Sequence, residues 1–468
     1  MLGTVADILK RRQAQGWLVG GSVRDRELGR YSPDLDVAVA DEAAAVAKEA
    51  ADKLGAPWFA LSQRHPTYRV LGPEGYIDVA AVRGGGILAD LAQRDFTVNA
   101  MAIPLAEGGL IDPFGGLAHL REGRLVAVSE RIFADDPLRL MRAPRFLHTL
   151  GLRLDDDLTR SVREQAPILA EAAAERVVAE ISLTLAAGRA AEVVRLWHDL
   201  GLLGVVLPEI AAADGSAAAG SVANEAAAGR LPATLALLER LDDLLERPSA
   251  WFPATVGLLG ERLAQPVDGA VDRPVALRLA GLTHRLTVEE AQTAGRRLRL
   301  SSAVVSLLSA VSRHLSGGSG RGSKGRATRA ATPIADLLAG RQPVTRAAVL
   351  FLWDAAPWEP EVILLAAAAG SDVPAAATGT GGALPDPTGP DPVRLDVARR
   401  MMALYADRES GRMPSLPLDG ETLMRELCLE SGPVVGRALR EARLAWEAGE
   451  AVTAGEALAA ARSVLAKN

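Results

Sequence analysis

Short apolar strands alternate with helices over the first 130 residues, and the pattern then becomes helical almost throughout. Strand-like runs occur in "GWLVGG", "LDVAVA", "TYRVL" and "YIDVAAV", and "FTVNAMAI" and "GLIDPF" are further strand candidates. "SVRDRELG" predicts a short helix and "DEAAAVAKEAADKLG" a longer one that ends at glycine. The pattern therefore predicts an α+β domain followed by an all-helical remainder.

Three low-complexity segments interrupt the helical part and predict linkers, at 211–229, 315–333 and 375–392. Together with the change of pattern they predict four parts: 1–130, 131–210, 211–333 and 334–468.

Composition adds limits to this picture. The chain has 468 residues, 49% of them hydrophobic, and its single cysteine, Cys428, excludes an internal disulfide framework and suits a reducing cytosol. No apolar run is long enough to span a bilayer and the start lacks a signal-peptide core, so we expect a cytoplasmic protein without a membrane partner. The net charge of −6 gives no indication of nucleic-acid binding.

The first candidate site is the turn in "LVGGSVRD". A strand, two glycines and a helix start direct backbone N–H groups toward an anion, and Gly20 and Gly21 would let phosphate approach the backbone. Arg24 could pair with that phosphate. The alternative is an ordinary strand-to-helix turn, in which glycines are common.

The second candidate is a pair of acids in "SPDLDVAV". Strand side chains alternate, so Asp34 and Asp36 point the same way and repel each other unless a cation lies between them. Either this is an edge strand with solvated acids, or it binds Mg²⁺ together with substrate phosphates. Asp78, in "YIDVAAV", adds a third acid and would complete a two-metal site.

At this point the sequence resembles the class II tRNA nucleotidyltransferase and bacterial poly(A) polymerase family. Five stretches match that family's motifs in order: "LVGGSVRDRELGRYSPDLDVAV", "QRDFTVNAMAI", "LIDPFGGLAHL", "DDPLRLMRAPRF" and "ERVVAEISLTLAAGRAAEVVRLWHDLGLLGVVLPEI". The resemblance implies a polymerase-β-like catalytic head followed by a helical neck, body and tail.

The resemblance also implies roles for individual residues. Asp34 and Asp36 match the family's metal-binding acids and Asp78 a third strand carboxylate, while Gly21 and Arg24 match positions that contact the triphosphate. Residues that match further nucleotide-binding positions are Arg94, Arg142 and Arg145. The implied reaction is attack of a tRNA 3′-hydroxyl on the α-phosphate of CTP, with or without a final ATP, with two Mg²⁺ ions assisting.

The enzyme would have to select the base without a template, and the stretch "DDPLRLMRAPRF" contains the residues that could do so. Asp136 and Arg139 are three apart on a predicted helix and would share a face. Aspartate would accept from the exocyclic amine of cytosine or adenine, and arginine would donate to the adjacent ring nitrogen. The alternative is a solvated ion pair. The motif here begins Asp135–Asp136, whereas the family usually has Glu-Asp.

Two stretches depart from the family pattern. The loop before the second motif is only "RGGGILADLAQ", 83–93, whereas CCA-adding members carry a longer flexible loop there. Either a surface loop has been shortened without consequence, or the protein adds only CC and leaves the A to a separate A-adding enzyme. A region resembling an HD phosphohydrolase has His284–Arg285 and Ala233 in place of metal ligands, which predicts a scaffold.

The substrate implied by the resemblance is a tRNA lacking all or part of its 3′ CCA, which must be held by its shape and phosphates. Between Arg296 and Arg346 the chain has ten Lys/Arg against one acid, Asp336, which suits either RNA backbone contact or a charged linker. The tail, 416–465, resembles the part that contacts the tRNA elbow. Two other functions stay open: a poly(A) polymerase of the same family, and a non-catalytic RNA-binding protein.

Overall fold

A computed structural model describes seven stretches of the chain, which fall into two compact units. The first unit is Met1–Glu180 with Asp199–Val205, and the second is Ile181–His198 with Val206–Asn468. The stretches are 1–62, 65–106, 108–211, 230–268, 271–315, 344–369 and 391–465. The predicted division into four parts stays a prediction.

The first unit is built on a six-stranded mixed sheet, and four of its strands coincide with predicted strand runs. In chain order its strands are β1 (Gly16–Val19), β2 (Asp34–Val39), β3 (Trp58–Ser62), β4 (Thr67–Gly72), β5 (Gly75–Ala81) and β6 (Ala102–Pro104). Their order in the sheet is β3-β4-β5-β2-β1-β6, and only β2 and β5 run parallel. That parallel pair places the predicted acids of β2 and β5 on neighbouring strands.

In the described residues, nine α-helices begin before the boundary at residue 180, and the last of them continues across it to Ala186. They are α1 (Leu2–Arg12), α2 (Gly21–Glu27), α3 (Ala43–Leu54), α4 (Ile87–Ala92), α5 (Gly116–Arg121), α6 (Ile132–Asp135), α7 (Arg139–Leu150), α8 (Asp156–Gln165) and α9 (Ala174–Ala186). One core cluster joins α1 and α3 to the sheet, including Val37, Ile77 and Val79. Alanines on α3, such as Ala47 and Ala50, let its backbone approach the strands closely.

Three details of the sheet differ from the sequence prediction. "FTVNAMAI" is not one strand: a 3₁₀ turn, Thr97–Asn99, precedes β6. "GLIDPF" forms only a single bridge, between Ile111 and Ala102. Strand β3 was not predicted, and a short parallel pair, β7 (Arg124–Leu125) with β8 (Arg153–Leu154), follows the main sheet.

Beyond residue 186 the described chain has helices and no strands, and these helices belong to the second unit except for Leu203–Val206, most of which falls in the first unit's segment Asp199–Val205. The helices are α10 (Ala190–Asp199), α11 (Leu203–Val206), α12 (Pro208–Ala211), α13 (Arg230–Glu246), α14 (Pro248–Trp251), α15 (Val256–Ala264), α16 (Arg273–Thr283), α17 (Val288–Arg297), α18 (Ser302–Leu315), α19 (Val344–Ala355), α20 (Glu359–Ala368), α21 (Pro392–Glu409), α22 (Gly420–Leu427), α23 (Pro433–Glu447) and α24 (Ala454–Ser463). The Gly432–Pro433 pair opens α23, with the proline at the first helical position.

The region that resembles a phosphohydrolase is packed as part of this helical unit. His284 ends α16, is 4% exposed, and its Nδ1 lies 2.8 Å from the carbonyl oxygen of Gly281. Ala233 lies on α13.

Most of the predicted linkers and of the basic stretch lie outside the described residues. Among the described basic residues of that stretch, Arg297 pairs with Glu209 at 2.9 Å, and Arg346 pairs with Glu441 and Glu450. The role of the stretch in RNA contact stays a prediction. Within the stretches that the structure describes, no helix has both the length and the apolar character that crossing a membrane requires.

A buried histidine makes the stability of the second unit sensitive to acid. His314 on α18 is fully buried, lies edge-on to Phe351 with ring centroids 5.0 Å apart, and has Nε2 3.2 Å from Asp354 Oδ2. Burial, opposed by Asp354 and assisted by Arg313, lowers the pKa of His314 to about 4. In the unfolded chain the imidazole has its ordinary pKa of 6.5.

We therefore expect stability to fall as pH drops from about 6.5 to about 4, because the unfolded chain binds the proton first. The loss from this group is on the order of 2–3 kcal/mol. Melting temperatures of wild type and His314→Gln at neutral and acid pH would test this, with His65→Gln, at an exposed position, as the control. The His314 variant should show the smaller acid-dependent drop, and an equal drop in both variants would contradict the assignment.

Candidate active site

The glycine turn between β1 and α2 is the centre of the site. Gly20 has φ +68° and ψ −133°, a backbone conformation essentially reserved for glycine. A Cβ on Gly20 would lie 2.6 Å from Arg94 Nη1 and 3.6 Å from Asp36 Oδ2. Gly21, the predicted phosphate-contacting residue, is the first residue of α2. The turn therefore brings bare backbone beside an arginine and an acid.

Ser22 fixes the position of the acidic strand relative to this turn. Its role was not predicted from the sequence. Its hydroxyl donates to the carbonyl oxygen of Asp34 at 3.1 Å and accepts from the backbone N–H of Asp36 at 2.9 Å. The first turn of α2 is thereby bonded to the start of β2. These bonds explain how Asp34, thirteen residues after Gly21, comes to lie beside the glycine turn again.

The three predicted acids lie on neighbouring parallel strands. Asp36 is paired with Asp78 in the register of β2 and β5, and Asp34 with Tyr76. Water reaches Asp36, but the surrounding protein desolvates its carboxylate and raises its pKa, while Arg94 acts in the opposite direction. An ionised Asp36 is therefore held at a cost that a bound cation would relieve.

The structure gives Asp78 a partner of its own. Arg69 donates to both oxygens of Asp78, at 2.8 Å each, and its guanidinium lies 3.5 Å from the ring centroid of Tyr76. The hairpin register sets this contact, because Arg69 is directly opposite Asp78 on the antiparallel strand β4. A direct role of Asp78 in binding metal would have to use the acceptor positions that Arg69 leaves free, beside a positive charge that opposes a cation.

The donor set fits a hard divalent cation such as Mg²⁺. Asp34 and Asp36 offer carboxylate oxygens from one side of β2, and the desolvated Asp36 gains from a nearby positive charge. In the described part of the chain, no cluster of three or more acidic, histidine or cysteine side chains is arranged to hold a metal ion. Substrate oxygens would have to complete such a site.

A cleft of about 410 Å³ gathers most of the predicted site residues. Asp34 and Asp78 are not among its lining residues, and Asp78 instead lines an adjoining cavity of about 430 Å³ that also contains Asp36 and Arg94. The predicted residues that line the cleft are Gly21, Arg24, Asp36, Arg94, Asp136, Arg139, Arg142 and Arg145.

The prediction that Asp136 and Arg139 share one face of a helix is wrong. α6 ends at Asp135, Asp136 is extended with φ −152° and ψ 101°, and α7 begins at Arg139. Proline is the cause, because the residue before Pro137 is disfavoured in the helical region. The two side chains nevertheless line the same cleft.

Each member of this pair has a separate anchor. Arg139 donates from Nη2 to the carbonyl oxygen of Gln93 at 2.7 Å and from Nη1 to that of Ile132 at 3.3 Å. Arg176 donates to both carboxylate oxygens of Asp136, at 3.2 and 2.8 Å. The acid and the arginine are thereby held in fixed positions.

Arginines dominate the rest of the cleft and are held there by buried acids. Arg142 pairs with Asp95 at 2.7 Å, and Arg145 pairs with Glu180 at 2.7 Å. Burial alone would lower the pKa of Arg142, but Asp95 and Glu180 outweigh it and raise that pKa. Phe146 packs beneath them, with the Arg145 guanidinium 4.4 Å from its ring centroid.

Arg24 and Arg94 are fixed in the same way beside the turn. Arg24 donates to Asn99 Oδ1 at 2.6 Å and pairs with Asp25 at 2.8 Å. Arg94 pairs at 3.1 Å with the buried Asp90. The supporting residues were not predicted from the sequence; they are Asp90, Asp95, Asn99 and Glu180. Asp95 and Asn99 nevertheless lie in the second quoted motif, and Glu180 lies in the fifth.

A mixed sheet with acids on β2, a glycine turn, and an arginine-lined cleft define a nucleotidyltransferase with a polymerase-β-like head. Comparison with known proteins agrees. Residues 16–88 and 86–126 match the family model described as the poly A polymerase head domain, and residues 151–214 match a probable RNA- and SrmB-binding site of polymerase A.

Curated relatives include CC-adding and CCA-adding enzymes. A CC-adding tRNA nucleotidyltransferase of Geobacter sulfurreducens is 31% identical over 65% of this chain and 67% of its own length. One from Synechocystis is 39% identical over 40% and 45%, respectively. A CCA-adding enzyme of Geobacillus thermodenitrificans is 32% identical over 61% and 76%. The chain belongs to this family of tRNA nucleotidyltransferases and is an enzyme, although its matches span only part of each relative.

Solved structures show the same fold. A CCA-adding enzyme in complex with ATP superposes with a TM-score of 0.68 at 19% identity, over 100% of this chain and 94% of that one. The prediction of a polymerase-β-like head followed by helices is confirmed.

Replacing Gly20 with alanine tests the turn. We expect transfer activity to fall by more than about tenfold, because the new Cβ displaces Arg94, and stability to fall by about 1–3 kcal/mol through backbone strain. Gly29→Ala is the matched control, since Gly29 also has a positive φ (+66°) but nothing within 4 Å of a built Cβ. Kinetics and melting temperatures of both variants would be compared, and equal activity in the two would contradict this role of Gly20.

Proposed function

We propose that the protein adds cytidine from CTP to the 3′ end of tRNA lacking all or part of its CCA, and that it stops after the second C. The observation that carries this proposal is the anchoring of Arg139 to the backbone of Gln93, at 2.7 Å. The chemistry of the cleft supports transfer, and this anchor supports the choice of C.

The cleft can position a nucleoside triphosphate. The bare backbone at Gly20 and Gly21 leaves room for phosphate oxygens, and Arg24 and Arg94 lie beside it as cations. The adjoining cavity shares Asp36 and Arg94 with the cleft and offers room for the acceptor 3′ end. This arrangement brings the 3′-hydroxyl toward the α-phosphate, from which pyrophosphate leaves.

Asp34 and Asp36 are the residues that would hold Mg²⁺ in this proposal. When bound, Mg²⁺ lowers the pKa of the attacking hydroxyl and stabilises the leaving oxygens. The chain itself fixes the carboxylates through Ser22 and neutralises the phosphates with arginine. Asp78 contributes as the third strand carboxylate only through the acceptor positions that Arg69 leaves free.

Asp136 and Arg139 read the base. The carboxylate accepts from the exocyclic amine of cytosine, and the guanidinium donates to its N3. Uracil presents a carbonyl and an N–H at the same places, so that each charged group would lose its partner. Arg142 and Arg145 support the nucleotide from the same helix.

A fixed pair favours one base size. Adenine offers a similar donor and acceptor, but its second ring places that edge farther from the sugar, so the reading pair would have to move to accept ATP. Arg139 is tied to Gln93, which directly follows α4, and Asp90 within α4 pairs with both Arg83 (2.8 Å) and Arg94 (3.1 Å). Only residues 82–86 connect α4 to β5.

This short, pinned connection replaces the longer flexible loop that CCA-adding members carry there. We therefore assign the terminal A to a separate A-adding enzyme. The single, unpaired cysteine of this chain, Cys428, is consistent with a reducing cytosol.

The decisive assay supplies the purified full-length protein with Mg²⁺, each nucleotide separately, and tRNA ending before CCA, after C, or after CC. We expect C to be added to the first two substrates and nothing to the third. Addition of A to the CC-ended tRNA would contradict the stop at CC. Long A tracts on unrelated RNA would identify a poly(A) polymerase, and tRNA binding without incorporation would identify a non-catalytic RNA-binding protein.

The metal assignment has its own test in Asp36→Asn. We expect transfer and Mn²⁺ binding, measured by electron paramagnetic resonance, to be lost, while the melting temperature without metal stays the same or rises. The reason is that ionised Asp36 is desolvated, so removing its charge relieves a cost. Asp52→Asn, at an exposed site on α3, is the control. Retained Mn²⁺ affinity in Asp36→Asn would remove Asp36 from the metal site.

A further inference from the structure

The carboxylate of Asp136 is already engaged by an arginine from another helix. Arg176, on α9, donates from Nη1 to Oδ1 at 3.2 Å and from Nη2 to Oδ2 at 2.8 Å. The backbone N–H of Leu138 donates to Oδ1 as well, at 3.2 Å. Arg176 lines the cleft, and its side chain is 55% exposed, against 28% for Asp136.

Counting acceptor positions shows what this contact leaves for a ligand. A carboxylate has about four lone-pair positions, two on each oxygen. Leu138 and Arg176 use both on Oδ1, and Arg176 uses one on Oδ2. One acceptor position therefore remains, on Oδ2, and it suits a single N–H of an exocyclic amine.

We propose that Arg176 is a positioning residue for base selection: it clamps Asp136 so that one carboxylate lone pair faces the incoming base, and it keeps Asp136 from pairing with Arg139. This inference rests on the proposed reading of the base by Asp136 and Arg139. It adds a third residue, from a different helix, that determines specificity through Asp136.

The second part of the inference follows from charge and proximity. Asp136 and Arg139 are three residues apart and line one cleft, so a carboxylate without Arg176 would be drawn to the Arg139 guanidinium. An ion pair between them would use the very donor and acceptor that read the base. Arg176 competes for the carboxylate, while two backbone carbonyls hold Arg139.

Because Arg176 is largely exposed, its pair with Asp136 adds little to overall stability. A purely structural role would therefore leave base choice unchanged, and a positioning role changes base choice without unfolding the protein. The ratio of kcat/KM for CTP to that for UTP is the readout that separates the two.

The test compares Arg176→Ala, Arg176→Gln and Arg176→Lys with wild type in the full chain, using CC-lacking tRNA and CTP or UTP. We expect the CTP/UTP ratio to fall by at least about tenfold in the Ala and Gln variants, with melting temperatures close to wild type. Lysine should not restore the ratio, because it cannot bond both oxygens in parallel. Arg160→Ala is the matched control, since Arg160 is an exposed arginine that pairs with Asp157 on α8.

Asp136→Ala, alone and combined with Arg176→Ala, separates this inference from the function on which it rests. If Asp136→Ala leaves the ratio unchanged, base reading by Asp136 is wrong. If Asp136→Ala relaxes base choice but Arg176→Ala does not, only the positioning role is overturned. The double variant should match Asp136→Ala alone, and equal losses for CTP and UTP in Arg176→Ala would show a phosphate or RNA contact instead.

Discussion

Repulsion among arginines is the constraint on which the cleft depends. Seven of its lining residues are arginines, namely Arg24, Arg83, Arg94, Arg139, Arg142, Arg145 and Arg176. Buried Asp95 and Glu180 balance Arg142 and Arg145 of α7, and buried Asp90 balances Arg83 and Arg94. Burying these charged groups costs solvation free energy. Their ion pairs offset that cost only because the donor and acceptor atoms lie within hydrogen-bonding distance. The cleft is thus already arranged to receive phosphate charge before any ligand binds.

Charge is also divided in space. The acids lie on β2 and β5, the arginines come from α2, from either side of α4, and from α7 and α9, and the glycine turn lies between them with no side chain of its own. A triphosphate can contact both groups from that position. The same division explains the raised pKa of Asp36, whose carboxylate lies at the boundary and is desolvated more than Arg94 can offset.

The sequence predicts the sheet well because one buried face imposes alternation, as in β2 and β5. Eight of the site residues predicted from the sequence line the cleft. It fails where a local cause competes with periodicity. Asp136 leaves the helix because of Pro137, a signal that was present in the sequence. Arg69, Asp95 and Glu180 could not be placed from pattern alone, because their partners are set by strand register or by distant helices.

If Asp136 and Arg139 read the base as proposed, selectivity depends on the residues that hold them more than on these two side chains themselves. Aspartate and arginine attract each other, so a pair that reads cytosine must be held apart by other bonds. Here the bonds come from three directions: Arg176 to the acid, and the carbonyl oxygens of Gln93 and Ile132 to the arginine. Gln93 is in turn pinned through the short connection to β5. A longer connection would loosen one anchor and leave the other unchanged, which would let Arg139 shift relative to Asp136. The length of a segment that need not touch the base can therefore decide how many kinds of base the enzyme accepts.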